Sequence, residues 1–178
     1  MRKLANAELN RLNVEQFRNA EKIPITVVLE NVRSALNVGS VFRTADGFRL
    51  EKIILVGFTA TPPNKEMHKT ALGATDTVSW EQVSDTEQAI EALKSSGYKV
   101  FAIEQAENAI MLNDFIFDSG EKLALIFGNE VSGVEQETID KCDGVIEIPQ
   151  FGAKHSFNIS VSAGIVLWHL VNQQIQVK

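Results

Sequence analysis

Cysteine is almost missing from this chain: Cys142 is the only one. Within one molecule neither a disulfide nor a multi-cysteine zinc site can form, and a reducing compartment fits. No apolar run approaches the roughly 18 residues of a membrane span. The N-terminal MRKLANAELNRLN lacks the apolar core of a secretion signal. These absences predict a cytoplasmic protein with no membrane partner. Glycine-rich and metal-binding fingerprints are missing too. The chain has no GxGxxG, no GxxxxGK followed by Ser or Thr, no HExxH and no GxSxG. Their lack argues against a dinucleotide dehydrogenase, a P-loop NTPase, a zincin and a serine hydrolase, and no metal site is expected.

The 178 residues suit one domain with a large core. The formal net charge of −6 speaks at first against a nucleic-acid partner. Its distribution speaks the other way. Residues 1–70 hold eleven Lys and Arg against seven Asp and Glu, whereas residues 71–178 hold six against sixteen. All six arginines (Arg2, Arg11, Arg18, Arg33, Arg43 and Arg49) fall in the first 49 positions. The guanidinium fork matches phosphate geometry, so any polyanion surface belongs to the N-terminal part.

Residues 4–20 space Leu4, Leu9, Leu12 and Phe17 loosely as a helix, which packs on a neighbour, a partner or RNA. We take residues 1–22 as a helical extension and residues 23–178 as the main domain. Short apolar runs then alternate with helical patterns. ITVVLENV, EKIILVGF, KVFAIE, LALIFG and GVIEIP read as strands. NVRSALNVGSVFRTADGF reads as a loop and a helix starting near Asn37, with Val38, Val41, Phe42 and Ala45 on its apolar side. Arg43 lies six positions after Asn37, and either faces a ligand, snorkels to solvent or pairs with Asp46. TATPPNKEMHKTALGATDTVSW is a long connection with a short helix near Glu66–Leu72. There His68 and Lys69 either reach a phosphate or belong to a solvated loop. Ser84 and Glu87 suggest a capping box opening a structural helix that stops at Gly97. VEQETIDKC reads as one further short helix. The last helix is expected from Ser156 onward, with Lys154, His155, Ser156, Asn158 and Ser160 clustered at its start. Ser156 there serves either as a cap or as part of a ligand site. The alternation predicts an α/β fold, a mostly parallel sheet flanked by helices.

Three predicted strands run into polar or glycine-bearing loops: ENVRSALNVGS, FGNEVSG and IPQFGAKHS. In open parallel sheets, ligands bind beyond the carboxyl ends of the strands, so these loops are candidates to converge. NVGSVFRTADGF, LIFGNEVSGV and IPQFGAKHSFNISVSAGI resemble motifs 1, 2 and 3 of the SpoU (TrmH-like) 2′-O-ribose RNA methyltransferases of the SPOUT superfamily, in that family's order and spacing. The resemblance implies a C-terminal trefoil knot, which topology rules alone would not predict. It also implies S-adenosyl-L-methionine as cofactor, RNA (tRNA or rRNA) as partner and a homodimer. Carried over by position, it gives catalytic roles to Asn37, Arg43, Glu130, Ser156 and Asn158, and a cofactor pocket around Phe127, Gly128, Ile148 and Phe157. One departure is Phe157, where the family usually has leucine.

The implied chemistry asks little of the protein beyond alignment, because a sulfonium methyl is already a good electrophile. A guanidinium stays protonated and makes a poor base, so Arg43 is read as a clamp on an RNA phosphate that takes the 2′-hydroxyl proton. The helix after Ile159 is apolar nearly all round at Val161, Ile165, Trp168, Leu170 and Val171. The implied dimer would use that surplus, unless the helix's own core covers it.

Overall fold

The computed structural model describes residues 1–118, 120–153 and 155–176. Its centre is a seven-stranded sheet of β1 (Ile23–Glu30), β2 (Leu50–Val56), β3 (Ser79–Val83), β4 (Tyr98–Ile103), β5 (Ile110–Met111), β6 (Lys122–Phe127) and β7 (Gly144–Glu147), in the order β3-β2-β1-β6-β4-β7-β5. Every pairing is parallel. The helices are α1 (Val14–Asn19), α2 (Ala35–Gly47), α3 (Lys65–Ala71), α4 (Ala74–Thr77), α5 (Thr86–Ser95), α6 (Gln136–Ile139) and α7 (Ile159–Gln176).

Continuous apolar runs become strands buried on both faces, with the pleat sending alternate residues to opposite sides. Ile25, Val27 and Leu29 of β1 join Val38, Val41 and Phe42 of α2 and Ala163, Val166 and Leu167 of α7 in one core. Val28 points the other way, with Ala124 and Ile126 of β6, onto Ala89, Ile90 and Leu93 of α5. Glu30, the last residue of β1, is buried on that second side. Its carboxylate accepts from Thr86 Oγ1 (2.6 Å), Thr138 Oγ1 (2.5 Å) and the Glu135 amide (3.1 Å). Those donors tie the start of α5 and the segment of α6 to the central strand. Burial pushes the Cys142 thiol up to about 11, which disfavours the thiolate, and the thiol donates to the Thr138 carbonyl.

Several expected elements are placed differently. The single helix expected over residues 4–20 is broken into a 3₁₀ turn (Asn6–Leu9) and the short α1, because Asn10 turns left-handed (φ 46°) and Asn13 caps a new start, accepting from the Gln16 amide at 2.8 Å. The cap of α5 is Asp85, which accepts from the Glu87 amide at 2.7 Å, and not Ser84; the Glu87 side chain instead pairs with Lys141. At the end of the long connection begins β3, an edge strand whose SWEQV side chains are mostly exposed and so lack a buried-strand pattern. β5 has only two residues. Phe115 and Phe117, in the irregular stretch after it, are buried, and Phe115 meets Phe101 edge-on at 4.9 Å.

The strand order sets the position of the site. β1, β2 and β3 step outward in one direction, while β6, β4 and β7 lie on the other side of β1. That reversal is where an open α/β sheet leaves a crevice at its carboxyl edge.

Candidate active site

A cavity of about 600 Å³ occupies that edge, lined by the residues that follow β4, β6 and β7. Phe127, Gly128, Ile148 and Phe157, expected around a cofactor, all line it, as do Glu130, Ser156 and Asn158. Lys154 lies outside the described residues. The loop after β6 is a tight reversal in which Asn129 and Gly133 exchange two backbone bonds of 2.9 Å. A Cβ on Gly128 would collide with the Gly133–Val134 peptide, and Gly133 itself needs a left-handed backbone (φ 71°), so both positions demand glycine.

The loop after β1 does not line the cavity; it is joined to it by Glu130. One carboxylate oxygen accepts from the Arg33 amide (2.9 Å), and the other from the Ser34 amide (3.0 Å) and Asn37 Nδ2 (2.9 Å). α2 therefore begins at Ala35, two residues before the expected Asn37. Its cap is Ser34, whose Oγ accepts from the Asn37 amide. Because an ionised carboxylate only accepts, it draws the amino end of the Asn37 side chain and leaves Oδ1 facing the other way. Asn158 Nδ2 donates to that Oδ1 at 3.1 Å, and Asn158 Oδ1 accepts from the Ser160 amide (2.9 Å) and hydroxyl (2.7 Å). One charge thus sets the orientation of two amides across 121 residues of sequence. Asn158, and not Ser156, caps the start of α7, which opens at Ile159. Ser156 is exposed on the cavity wall.

Partial burial pulls the Glu130 carboxyl upward, but the two amides and the Asn37 side chain outweigh it and hold the group below its ordinary value. Glu130 is thus held as an anion that organises the loops.

Three further lining residues were given no role from the sequence, although Asn129 stands inside the FGNEVSG loop. Asn129 is buried; its Nδ2 donates to the Asn31 carbonyl (2.7 Å) and its Oδ1 accepts from the Val131 amide (2.8 Å). Glu104 accepts from the Val134 amide (3.0 Å), and Gln105 Nε2 donates to the His155 carbonyl (2.6 Å), so the end of β4 braces both glycine-bearing loops.

Arg43 stands apart from this network. It is exposed on the outer side of α2 and lines a second, open cleft of about 510 Å³ with Ser40, Thr44, Gly47, Phe48, Lys69 and Thr70. The expected alternative partner, Asp46, accepts from Thr77 Oγ1 at 2.5 Å instead. Of the two cations expected in the long connection, Lys69 borders this cleft, while His68 lies on the same short α3 without lining it.

A parallel α/β sheet with a ligand cavity over the carboxyl ends of its strands, walled by glycine-bearing loops, defines a class of small-molecule-binding fold. Residues 24–168 match the model of the SpoU rRNA Methylase family, and the chain belongs to that family. It is 28% identical over 171 residues to the 23S rRNA (guanosine-2′-O-)-methyltransferase RlmB of Neisseria meningitidis, covering 96% of this chain and 67% of that one. It is 29% identical over 169 residues to the tRNA (guanosine(18)-2′-O)-methyltransferase of Thermus thermophilus, covering 95% and 85%. Among solved structures it superposes on the AdoMet-bound rRNA methyltransferase from Sinorhizobium meliloti with a TM-score of 0.79 at 27% identity, over 89% of this chain and 60% of that one. The A. aeolicus TrmH/SpoU tRNA modifying enzyme shares the fold at the same TM-score, 24% identity and 90% and 80% coverage. The chain thus spans about two thirds of the length of several relatives, and more of the Thermus protein.

Proposed function

We propose that this chain is an S-adenosyl-L-methionine-dependent RNA 2′-O-ribose methyltransferase, acting on tRNA, and that it works as a cytoplasmic homodimer. The observation that carries the reading is the Glu130–Asn37–Asn158 network at the rim of the strand-end cavity, because it joins the three motif loops around one ligand-sized space. A volume of about 600 Å³ is in the range that takes a nucleoside-sized ligand, and the Gly128–Gly133 reversal leaves backbone in the wall where side chains would intrude. The residues present therefore fit the cofactor, held by Phe127, Gly128, Ile148 and Phe157. When bound, it supplies an electrophilic methyl group.

The protein's own share is positioning. Asn37 and Asn158 have locked amide orientations, and with Ser156 they offer fixed polar groups to a ribose at the cavity rim. Arg43 holds the neighbouring phosphate, which accepts the proton as the 2′-oxygen attacks. A 23S rRNA target is the second reading, favoured by the similarity to the Neisseria enzyme.

The dimer reading rests on α7. Leu170 and Val171 are buried within the chain, but Val161, Trp168 and Ile175 are 48%, 56% and 58% exposed in one stripe at seven-residue spacing. Gly164 lies between the first two, and a Cβ there would meet nothing within 4 Å among the described residues. Trp168 also touches Phe48 (6.1 Å between rings), so the stripe adjoins the Arg43 cleft. The proposed fold includes the C-terminal trefoil knot that the family resemblance implies; β6 lies between β1 and β4, and α7 packs on α2. No helix among the described residues is long and apolar enough to cross a membrane.

The deciding measurement is a map of 2′-O-methylation in total RNA from cells with and without the gene. A methyl group lost from one tRNA nucleotide, and restored in vitro by the purified protein with S-adenosylmethionine, is expected. An unchanged map, together with no binding of S-adenosylhomocysteine by calorimetry, would refute the reading.

A further inference from the structure

The cleft beside α2 is built more deliberately than a gap between helices needs to be. Gly39 lets α3 approach α2 until a Cβ would strike the Met67 carbonyl and Thr70 Oγ1. Thr70 Oγ1 then donates to the Leu36 carbonyl at 2.8 Å and fixes α3 there. That contact brings Lys69 to the same cleft as Arg43. The hydroxyls in the wall have their protons committed elsewhere: Ser40 Oγ also donates to the Leu36 carbonyl (2.9 Å), and Thr44 Oγ1 donates to the Ser40 carbonyl (3.1 Å). What they turn outward is lone pairs. Among the described residues that line it, Arg43 and Lys69 are the charged ones, with a row of acceptors beside them and the Phe48 ring at the edge. A bare phosphate would use the cations and leave the acceptors idle. A phosphate carrying a hydroxyl donor next to it would use both.

We propose that this cleft binds the RNA backbone beside the methylated nucleotide, with one phosphodiester between Arg43 and Lys69 and the 2′-hydroxyl of the next, unmethylated nucleotide donating to Ser40 and Thr44. The inference rests on the methyltransferase reading and adds Lys69 as a second phosphate contact and the hydroxyl row as the feature that tells RNA from DNA. The structure also holds an internal stand-in for the phosphate. Glu66 pairs with Lys69 at 2.6 Å, both side chains being more than half exposed. An exposed pair at this spacing is weak and gives way to a polyanion.

The test is fluorescence anisotropy of the full chain with a labelled random-sequence 15-nucleotide RNA, and with its DNA counterpart, across a potassium chloride series. Lys69→Gln should weaken RNA binding about fivefold at low salt and flatten the slope of log affinity against log salt by about 0.7, the share of one single-strand phosphate contact. Glu66→Gln should tighten RNA binding about twofold by freeing Lys69. Thr44→Val, which keeps the shape of the side chain, should cut the preference for RNA over DNA while leaving the salt slope alone. Affinity for S-adenosylhomocysteine and the melting temperature should stay as in the wild type for all three. Wild-type binding of RNA with Lys69→Gln unchanged in affinity and slope overturns the cleft, as does a Lys69→Gln protein that melts early, which would make the residue structural. Wild-type protein that binds S-adenosylhomocysteine but no RNA refutes instead the RNA reading on which the cleft depends.

Discussion

Two polar regions flank α2, and they differ in how much of their bonding capacity is already used. At its N-terminus, Glu130 accepts three hydrogen bonds, Asn37 and Asn158 are locked in series, and the Ser34 cap and the loop after β6 are tied to the same carboxylate. About two turns on, Arg43 makes no salt bridge among the described residues, and Lys69 holds only an exposed carboxylate three positions away. Completed networks serve to hold loops, whereas charges without partners cost little to keep at a surface and stay available to a ligand. The contrast separates a site that is preorganised from one that is completed by what binds.

That division predicts opposite signatures. The largest effect should come from Arg43→Ala, with methyl transfer in single turnover falling more than tenfold, or about 1.4 kcal/mol of transition-state stabilisation, at unchanged melting temperature. Arg43→Lys should recover little, since an ammonium lacks the planar fork. Near-normal transfer by the alanine variant, measured at saturating cofactor, would remove Arg43 from the site; a large drop in melting temperature would move it into the scaffold.

Glu130→Ala should do the reverse. It strands the Arg33 and Ser34 amides and the Asn37 side chain at a half-open position, costing about 1 kcal/mol, which for a chain of this size lowers the melting temperature by about 2–4 °C. Affinity for S-adenosylhomocysteine should fall with it, because the loop after β6 loses its anchor. If calorimetry and melting curves of this variant match the wild type, the rim is not preorganised in the sense drawn here.

Much of the rim was legible because its chemistry constrains residue type. A carboxylate that must accept from several amides, a glycine where a Cβ would strike backbone and an asparagine that must both give and take leave few substitutes, and these residues stood in recognisable order. The cleft was less legible, since it exists only after Gly39 lets α3 close on α2 and brings in Lys69, which the sequence left open as a phosphate contact or part of a solvated loop. Glu104 and Gln105 were missed for a related reason: an acidic and an amide residue after a strand look like any exposed loop until their partners, Val134 and His155, arrive from 30 and 50 residues away. Even at the rim the register slipped. Asn158 fills the capping role that Ser156 could have filled, and only three-dimensional placement distinguishes two polar residues two positions apart.

At the face next to the cleft, Gly164 separates a monomer from a dimer. In a monomer, Gly164→Ala should stabilise the protein by about 0.5–1 kcal/mol, because the helix loses the entropic penalty of glycine and the new Cβ meets nothing among the described residues. If a second copy packs closely on the Val161–Trp168 stripe, the same methyl group obstructs it, and dimer dissociation followed by light scattering should shift to higher protein concentration. A wild type that is monomeric at micromolar concentration, together with a stabilised variant, ends the dimer reading.

The smallest effect concerns acidity, and it isolates the charge at the centre of the rim. The Glu130 carboxyl is held below its ordinary value of 4.5 in the folded protein, despite partial burial that opposes this, by the amides and the Asn37 side chain. The unfolded chain therefore binds the proton more readily, so the stabilisation is fully present above the ordinary carboxylate range and disappears as pH falls through the depressed value. Asp143 is held low as well, by Lys94 and the Val100 amide against its own partial burial, so the wild type's acid profile mixes at least two groups. The informative quantity is the difference in melting temperature between wild type and Glu130→Gln. Glutamine keeps one acceptor but loses the charge, so the gap should be constant from pH 8 down to about pH 5 and close at lower pH as the wild-type carboxylate takes up its proton. A gap that does not change with pH would mean that the shape of the side chain, and not its ionisation, holds Asn37 and the loop after β6 in place.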